Sequence, residues 1–223
     1  MRLHKKFGLA LAGVATGSLI LAFPASAAEF TGTAGNDMIT GTDRNDVIDA
    51  LEGDDTVDAL AGEDRVKGLT GNDTITGGGG NDRIAGNGAG DTISGGEGDD
   101  RILAGPGRDE IDGDGGNDYI DAGSESNTGR GDTARGGEGN DTFHGSSDDD
   151  KFFGNRGADE FFIGGGSDEV EAGEGDDTVT LFGDGVGVID FVDCGDGVDT
   201  VRGEPNANAY AGDKFINCEK FIG

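Results

Sequence analysis

Aspartate recurs in this chain every nine residues. Stepping from Asp73 and Asp82 reaches Asp64, Asp55, Asp46 and Asp37 in one direction and Asp91, Asp100, Asp109 and Asp118 in the other. After one slip of five residues the series resumes at Asp132, Asp141, Asp150, Asp159, Asp168 and Asp177, with a register-shifted member at Asp199. Glycine-rich stretches precede these carboxylates, and the combination has the properties a hard cation needs. Calcium takes about six to eight oxygen ligands from carboxylates and backbone carbonyls. Glycine lets the backbone enter conformations closed to other residues, which brings carbonyls close to an ion. Two stacked turns would pool their oxygens and share each carboxylate. Magnesium fits less well, because it demands a tight octahedron and keeps its waters. Zinc and softer metals want His or Cys, of which the chain beyond its N-terminal stretch offers His144 and two cysteines.

The elements that must hold this ladder are legible in the same register. Residues 68–85 read as two consecutive copies of Gly-x-x-Gly-Asn-Asp-x-Ile-x. Two residues after each Asp stands an apolar side chain: Ile39, Ile48, Val57, Val66, Ile75, Ile84, Ile93, Ile102, Ile111 and Ile120, then Phe143, Phe152, Phe161, Val170, Val179 and Val201, with Ala134 the small exception. The glycine-rich part of each unit predicts a turn, and the segment around the apolar residue predicts a three-residue strand with its middle side chain inward. One such strand is unstable alone, so the copies must stack into a solenoid. Ten units run from Gly32 to Asp121 without insertion. The slip within 122–135 reads as an enlarged surface turn, with a binding loop as the alternative. Phe153 and Phe162 fall on outward positions, either as a sticky patch for a partner or as imperfect repeats.

Composition sets a condition on this reading. The chain has 223 residues, of which 47 are glycine and 33% hydrophobic, and its net charge is −30. Removing a leader that contains Arg2, Lys5 and Lys6 takes three positive charges away and leaves −33. Glycine and acid at this density ordinarily mean disorder, so the repeat folds if something neutralises its carboxylates. Such a surface repels nucleic acid and anionic lipid and attracts multivalent cations. Residues 1–28 carry a basic start, an apolar stretch from Leu9 to Phe23 and the small-residue signature Ala25-Ser26-Ala27, which is the pattern of a secretory signal peptide. No other stretch is apolar enough to span a bilayer. The expected organisation is a leader over 1–28, a roll over 29–180, and degenerate repeats with a C-terminal cap over 181–223. In an exported chain Cys194 and Cys218 read as a disulfide, with two free thiols as the alternative.

The units at 77–85, 95–103, 136–144 and 172–180, GGGGNDRIA, GGEGDDRIL, GGEGNDTFH and AGEGDDTVT, closely resemble the RTX, or hemolysin-type, calcium-binding nonapeptide GGxGxDxUx. The ending, CGDGVDTV followed by NCE, resembles the close of small secreted RTX-type proteins of Gram-positive bacteria. The resemblance implies an all-β fold, a right-handed parallel β-roll in which two nonapeptides make one coil and calcium sits in the turns between coils. It implies ligation by the aspartates from Asp37 to Asp177 and by turn carbonyls such as those of Gly71, Gly78, Gly80, Gly96 and Gly98. On this reading Asp73 shares its ions with Asp55 and Asp91, and Asp82 with Asp64 and Asp100. Arg44, Ala89, Arg130 and Asp148 replace the fourth-position glycine, and their turns are expected to hold calcium weakly or not at all.

Alternating coils put Arg65, Arg83 and Arg101 on one outer face and Thr56, Thr74 and Thr92 on the other, with Asp58, Thr76 and Ser94 beside the threonines. The threonine file is similar to that of calcium-dependent ice-binding RTX domains, but it is short and mixed, and ordinary strand propensity accounts for it. The arginine column reads as an offset to neighbouring acid. No catalytic set assembles: His144 is on an outward strand position, and carboxylate pairs such as Asp99 and Asp100 recur at equivalent turns, which marks metal ligands. The sequence therefore points to a secreted, non-enzymatic protein that folds on binding several calcium ions. A calcium-stiffened surface adhesion or matrix protein is the alternative, with a cell-wall, polysaccharide or protein partner.

Overall fold

The computed structural model describes residues 27–123, 131–182, 190–203 and 213–222. Residues 1–26 of the expected leader and the centre of the 122–135 insertion lie outside the described residues. Among those described there are strands and turns and no helix. The strands alternate between two parallel sheets. One sheet has eleven strands, running from Glu29–Thr31 to Lys220–Ile222, and the other has ten, from Met38–Thr42 to Lys214–Ile216. Each strand pairs with the second one along the chain, so residues two units apart stand side by side: Ile75 beside Val57 and Ile93, and Ile84 beside Val66 and Ile102. The chain is an all-β parallel solenoid of about 10 turns.

Numbering each unit so that the ladder aspartate is sixth, the eighth residue points between the sheets. Ile48, Ile75, Ile84, Ile93, Ile102, Ile111 and Ile120 are fully buried, as are Phe143, Phe152 and Phe161. Small first-position residues such as Ala50, Ala59, Ala104, Ala122 and Ala172 complete this narrow core. Strands reach six residues, as in Thr74–Gly79, where three were expected. The difference arises because the glycine-rich start of the next unit stays in the ladder, with Gly78 beside Gly96.

Ala134 is the one weak point in the apolar file, and its neighbours compensate. It stands between Ile111 and Phe152 in its sheet. Phe152 meets Phe143 edge to face at 5.7 Å, and Phe143 stacks on Phe161 at 4.7 Å. Large rings thus fill the volume that an alanine leaves, as a close-packed interior requires. The insertion does not disturb the stacking, because Glu110 pairs with Thr133 and Tyr119 with Thr142 on either side of it.

The outer faces alternate as expected. Arg65, Arg83 and Arg101 line up on the eleven-stranded sheet, and Thr56, Thr74 and Thr92 on the other, where Glu110 ends the threonine file. Of the two readings of Phe153 and Phe162, a common patch is ruled out. Phe153 and Phe162 lie on different sheets, because adjacent units alternate sides, so they do not form one patch. Phe162 instead joins a file of rings with His144 at 4.7 Å and Phe182 at 6.1 Å, and His144 in turn lies 5.0 Å from Tyr119.

Both sheets continue past Thr180. Phe191–Asp193 and Lys214–Ile216 extend one, and Thr200–Gly203 and Lys220–Ile222 the other. Cys194 and Cys218 are joined in a disulfide, with 5.2 Å between their Cα atoms. Closing this loop stabilises the end of the roll by ~3 kcal/mol on the chain-entropy model.

Candidate metal centre

The sixth-position aspartates meet along the two edges where the turns stack. Along one edge the backbone N–H of Asp55 donates to Asp73 Oδ1 and that of Asp73 to Asp91 Oδ1, both at 2.8 Å. Along the other, Asp64 donates to Asp82 Oδ1 and Asp82 to Asp100 Oδ1, both at 2.7 Å. The stacking partners of Asp73 and Asp82 are therefore those expected from the register. The same bond carries on through Asp118, Asp141, Asp159 and Asp177. It spans the insertion, since Asp109 donates to Asp132 Oδ1 at 2.7 Å. Asp150 and Asp168 are joined in the same way. The ladder also runs further than the sequence pattern did: Asp190 N–H donates to Asp213 Oδ1 and Asp199 N–H to Glu219 Oε2. Asp190, Asp213 and Glu219 were missed because the separation between stacked members departs from 18 there.

The second oxygen of these carboxylates is the informative one. Oδ2 of Asp55, Asp64, Asp73, Asp82, Asp91, Asp100, Asp118, Asp141, Asp159 and Asp177 is buried with no hydrogen-bond partner. A buried charged oxygen without a partner is strongly unfavourable, and here it recurs at equivalent positions. Burial accordingly pushes the carboxyls up from the ordinary value of 3.8, against the opposing pull of the backbone N–H bond. Asp64, Asp82, Asp100, Asp141 and Asp177 rise to about 6, Asp91 and Asp159 to about 7, and Asp118 to about 8.

The backbone around these oxygens is shaped by left-handed residues at the second and fourth positions. Gly71, Gly78, Gly80, Gly96 and Gly98 have φ between 108° and 131°. A Cβ on Gly80 would lie 1.9 Å from the Gly62 carbonyl oxygen, and one on Gly78 would lie 1.9 Å from that of Leu60. Each turn thus nests on carbonyls of the turn below. Leu51, Leu60 and Leu69 hold the second position with φ of 78° to 88°, a conformation that bulky side chains rarely adopt.

Three turns differ. Thr33 N–H and Oγ1 donate to Asp37 Oδ2 at 2.5 and 2.9 Å, and Thr42 N–H and Oγ1 to Asp46 Oδ2 at 2.6 and 2.9 Å. Ser146 N–H donates to Asp150 Oδ2 at 2.8 Å. In these units neither the second nor the fourth residue is left-handed. A hydroxyl residue at position two bonds locally and closes the turn onto its own carboxylate. Two of these turns carry Arg44 and Asp148 at position four. Ala89, by contrast, keeps the glycine-like conformation at φ 80°. Arg130 lies outside the described residues.

The fifth position holds a ladder that the sequence reading did not assign. Asp54 N–H donates to Asn36 Oδ1, Asn72 N–H to Asp54 Oδ1, Asp99 N–H to Asn81 Oδ1 and Asn117 N–H to Asp99 Oδ1. These side chains reach toward the following coil, whereas the sixth-position carboxylates reach back. Bonds from the Asn117 backbone and side chain hold the exposed Asp99 below the usual carboxylate value, while its neighbour Asp100 is raised by burial. The recurrence of Asn or Asp before the ladder aspartate was the available signal.

Among the described residues no three His, Cys, Asp or Glu side chains converge on one point. An ion on these edges would have to take most of its ligands from backbone carbonyls, with one or two carboxylates. An all-oxygen set of this kind suits calcium, and stacked orphan oxygens facing a carbonyl-lined turn fit such an ion. The family model of the RTX calcium-binding nonapeptide repeat matches residues 31–66, 58–93, 94–128, 126–161 and 162–184. The chain belongs to this family. A search of curated proteins finds no match. RTX nonapeptide repeats bind calcium, and the matched residues contain every orphan oxygen named above.

Two expectations follow from this geometry. Gly80→Ala destabilises the calcium-loaded roll by ~2 kcal/mol or more, since it combines a left-handed φ with a backbone clash. Gly79→Ala, whose Cβ meets nothing within 4 Å, leaves the thermal midpoint within about a degree or raises it. The second concerns pH. The folded, calcium-free chain holds more protons than the unfolded chain between the unfolded value of 3.8 and the raised values of about 6 to 8. Stability without calcium is therefore lost as pH rises through that window and gained as it falls, the reverse of a salt-bridged carboxylate. Circular dichroism in EDTA from pH 8 to 5 should show ordered structure increasing; a flat or declining signal contradicts the assignment.

Proposed function

We propose that this RTX protein is a secreted, non-enzymatic calcium binder whose roll folds as calcium loads the turns. The observation that carries the reading is the recurring buried, unpartnered Oδ2 of the ladder aspartates. Along one edge Asp64, Asp82, Asp100, Asp118, Asp141, Asp159 and Asp177 would each offer that oxygen to an ion. Along the other edge Asp55, Asp73 and Asp91 would do so. Carbonyls of left-handed turn residues, including Gly71, Gly78, Gly80, Gly96 and Gly98, would complete the shell. Asp109, Asp132 and Asp168 stand in the same ladder and are assigned the same role. The bound ion supplies two positive charges where stacked carboxylates otherwise repel one another. Asp37, Asp46 and Asp150 already spend Oδ2 on Thr33, Thr42 and Ser146, so their turns are the weak or empty ones.

The proposed division is a leader over 1–28, the roll over 29–180 and cross-linked closing turns over 181–223. Secretion is supported by the basic, apolar and small-residue sequence of the leader and by the disulfide. RTX repeat proteins are typically extracellular. An ion that binds the folded state alone stabilises it by mass action, so millimolar calcium outside the cell would drive folding. His144 packs between Tyr119 and Phe162 on the outer face, which supports a packing role for it.

Far-ultraviolet circular dichroism tests the coupling. In EDTA at pH 8 the chain should be largely unordered and in excess calcium β-rich; identical spectra would sink the reading. Calorimetric titration tests the ligand assignment. Asp82→Asn lowers the number of ions bound per chain, whereas Asp46→Asn leaves it unchanged. Equal losses in the two variants would refute the distinction between open and closed turns.

A further inference from the structure

Three arginines stand in a file on the outer face of the eleven-stranded sheet. Arg65 pairs with Arg83, and Arg83 with Arg101, across adjacent parallel strands. Their side chains therefore leave one face at the spacing of neighbouring strands, ~4.8 Å, and all three residues are exposed. Lys67 shares that face, and Ala85 and Leu103 fill the positions beside it. Lys67 pairs with Asp49 at 3.4 Å. Among the described residues Arg65 and Arg83 make no ion pair, and Arg101 lays its guanidinium over the Tyr119 ring at 3.9 Å.

Apart from the Arg101–Tyr119 contact, this arrangement brings no visible gain in stability. Like charges directly opposite on neighbouring strands destabilise a sheet. The chain has 46 acidic residues against 16 basic ones, so a carboxylate facing each arginine was readily available in composition, and none is placed on these three strands' outer face. Neighbouring acid, the reading from sequence alone, is present at one side of the file in Glu63, Asp82 and Asp99, but among the described residues it forms no ion pair with Arg65, Arg83 or Arg101 and leaves their outward face unengaged. Guanidinium groups bind carboxylates through paired hydrogen bonds, and a file at strand spacing suits a polymer whose carboxylates recur at similar intervals. We propose that Arg65, Arg83 and Arg101 bind a linear anionic polysaccharide carrying one carboxylate per sugar.

Calcium gates this binding, a clause that rests on the function proposed above. A groove of about 230 Å³ beside the file is lined by Glu63, Asn81, Asp82, Arg83, Asp99 and Arg101. Without calcium, those carboxylates and a net charge of −30 repel a polyanion. Ions held at Asp64, Asp82 and Asp100, the residues that directly precede the three arginines, cancel the local charge and expose the file as the dominant feature.

The test uses the full-length protein and fluorescent hexagalacturonate, with binding read by anisotropy and folding by circular dichroism. Wild type should bind the hexamer in millimolar calcium and not in EDTA, and should ignore the methyl-esterified hexamer. The triple variant Arg65→Gln, Arg83→Gln, Arg101→Gln should keep the calcium-induced spectrum while binding about tenfold more weakly or worse, the effect of losing even one charge-assisted pair. Arg156→Gln, on the other sheet, should bind as wild type does. Undiminished binding by the triple variant means calcium bridges the sugar to acidic turns and overturns the proposal. So does tighter binding of a phosphate-bearing oligomer of equal charge, or no hexamer binding by wild type that is folded in calcium. A spectrum unchanged by calcium sinks the calcium reading instead; hexamer binding lost only in the triple variant would then still uphold the arginine file.

Discussion

A carboxylate buried with one oxygen bonded and the other free is the constraint from which the rest of the roll follows. Stacking in parallel register places each ladder aspartate against its own equivalents two units away, so like charges face each other along both edges. The Oδ1 bond to the neighbouring backbone N–H fixes the stacking geometry but satisfies only half of the carboxylate in open turns such as those of Asp64, Asp82 and Asp100. The fold is self-consistent when a positive charge occupies the remaining oxygens, whether protons at low pH or a divalent ion at higher pH. On the proposed function, cation binding and folding would form a single equilibrium in this architecture. The narrow core of single isoleucines and small first-position residues buries too little apolar surface to carry the edges alone.

The turns solve a second problem, which is register. A solenoid with one inward side chain per short strand is weakly protected against slippage, because neighbouring units look alike. Here the sixth-position carboxylate bonds the coil before it, and the fifth-position Asn or Asp bonds the coil after it. Asp54, for example, accepts from Asn72 while its own N–H donates to Asn36. A displacement by one residue breaks both sets together. Glycine at positions two and four permits the close nesting, and the three leucines in left-handed conformation show that the stack enforces the turn even where the residue resists it.

Much of this was legible because every unit solves the same problem. The nine-residue period of Asp, with the apolar residue two places on, marks where the strands fall and which side chains point inward, while the alternation of units between two sheets is implied by the resemblance to RTX repeats. The disulfide between Cys194 and Cys218 was similarly readable. The hidden features depend on contacts two units apart or on local side-chain chemistry. The Asn36, Asp54, Asn72 ladder looked like turn composition, since Asn favours turns on its own account. The closing of Asp46 by Thr42 required knowing that Thr does not enter the left-handed region. Arg44 and Asp148 did point to unusual turns, but the hydroxyl residues two places earlier provide the mechanism. Past Thr180 the spacing between stacked aspartates changes, so Asp190 and Asp213 escaped a count by nines while the hydrogen-bonded ladder continued through them.

The two edges are not equivalent, and the difference bears on how the outer face behaves. The edge carrying Asp55, Asp73 and Asp91 meets a closed turn at Asp150, where Ser146 occupies Oδ2. The other edge, once past Asp46, presents an orphan Oδ2 at every ladder position from Asp64 to Asp199. On the calcium reading, that edge takes an unbroken file of ions and the first edge a divided one. Adjacent sites that share a carboxylate load together, so the unbroken edge would respond to calcium more steeply. Arg65, Arg83 and Arg101 each follow directly after an aspartate of that same edge. A change of charge on the edge is therefore felt at a distance of one residue by every member of the arginine file, whereas the threonines of the opposite sheet sit beside the divided edge. The asymmetry comes from the repeat itself: alternate units share one edge and one sheet, so substitutions confined to alternate units give one outer face a character of its own, and on the proposed readings tie its electrostatics to one set of metal sites.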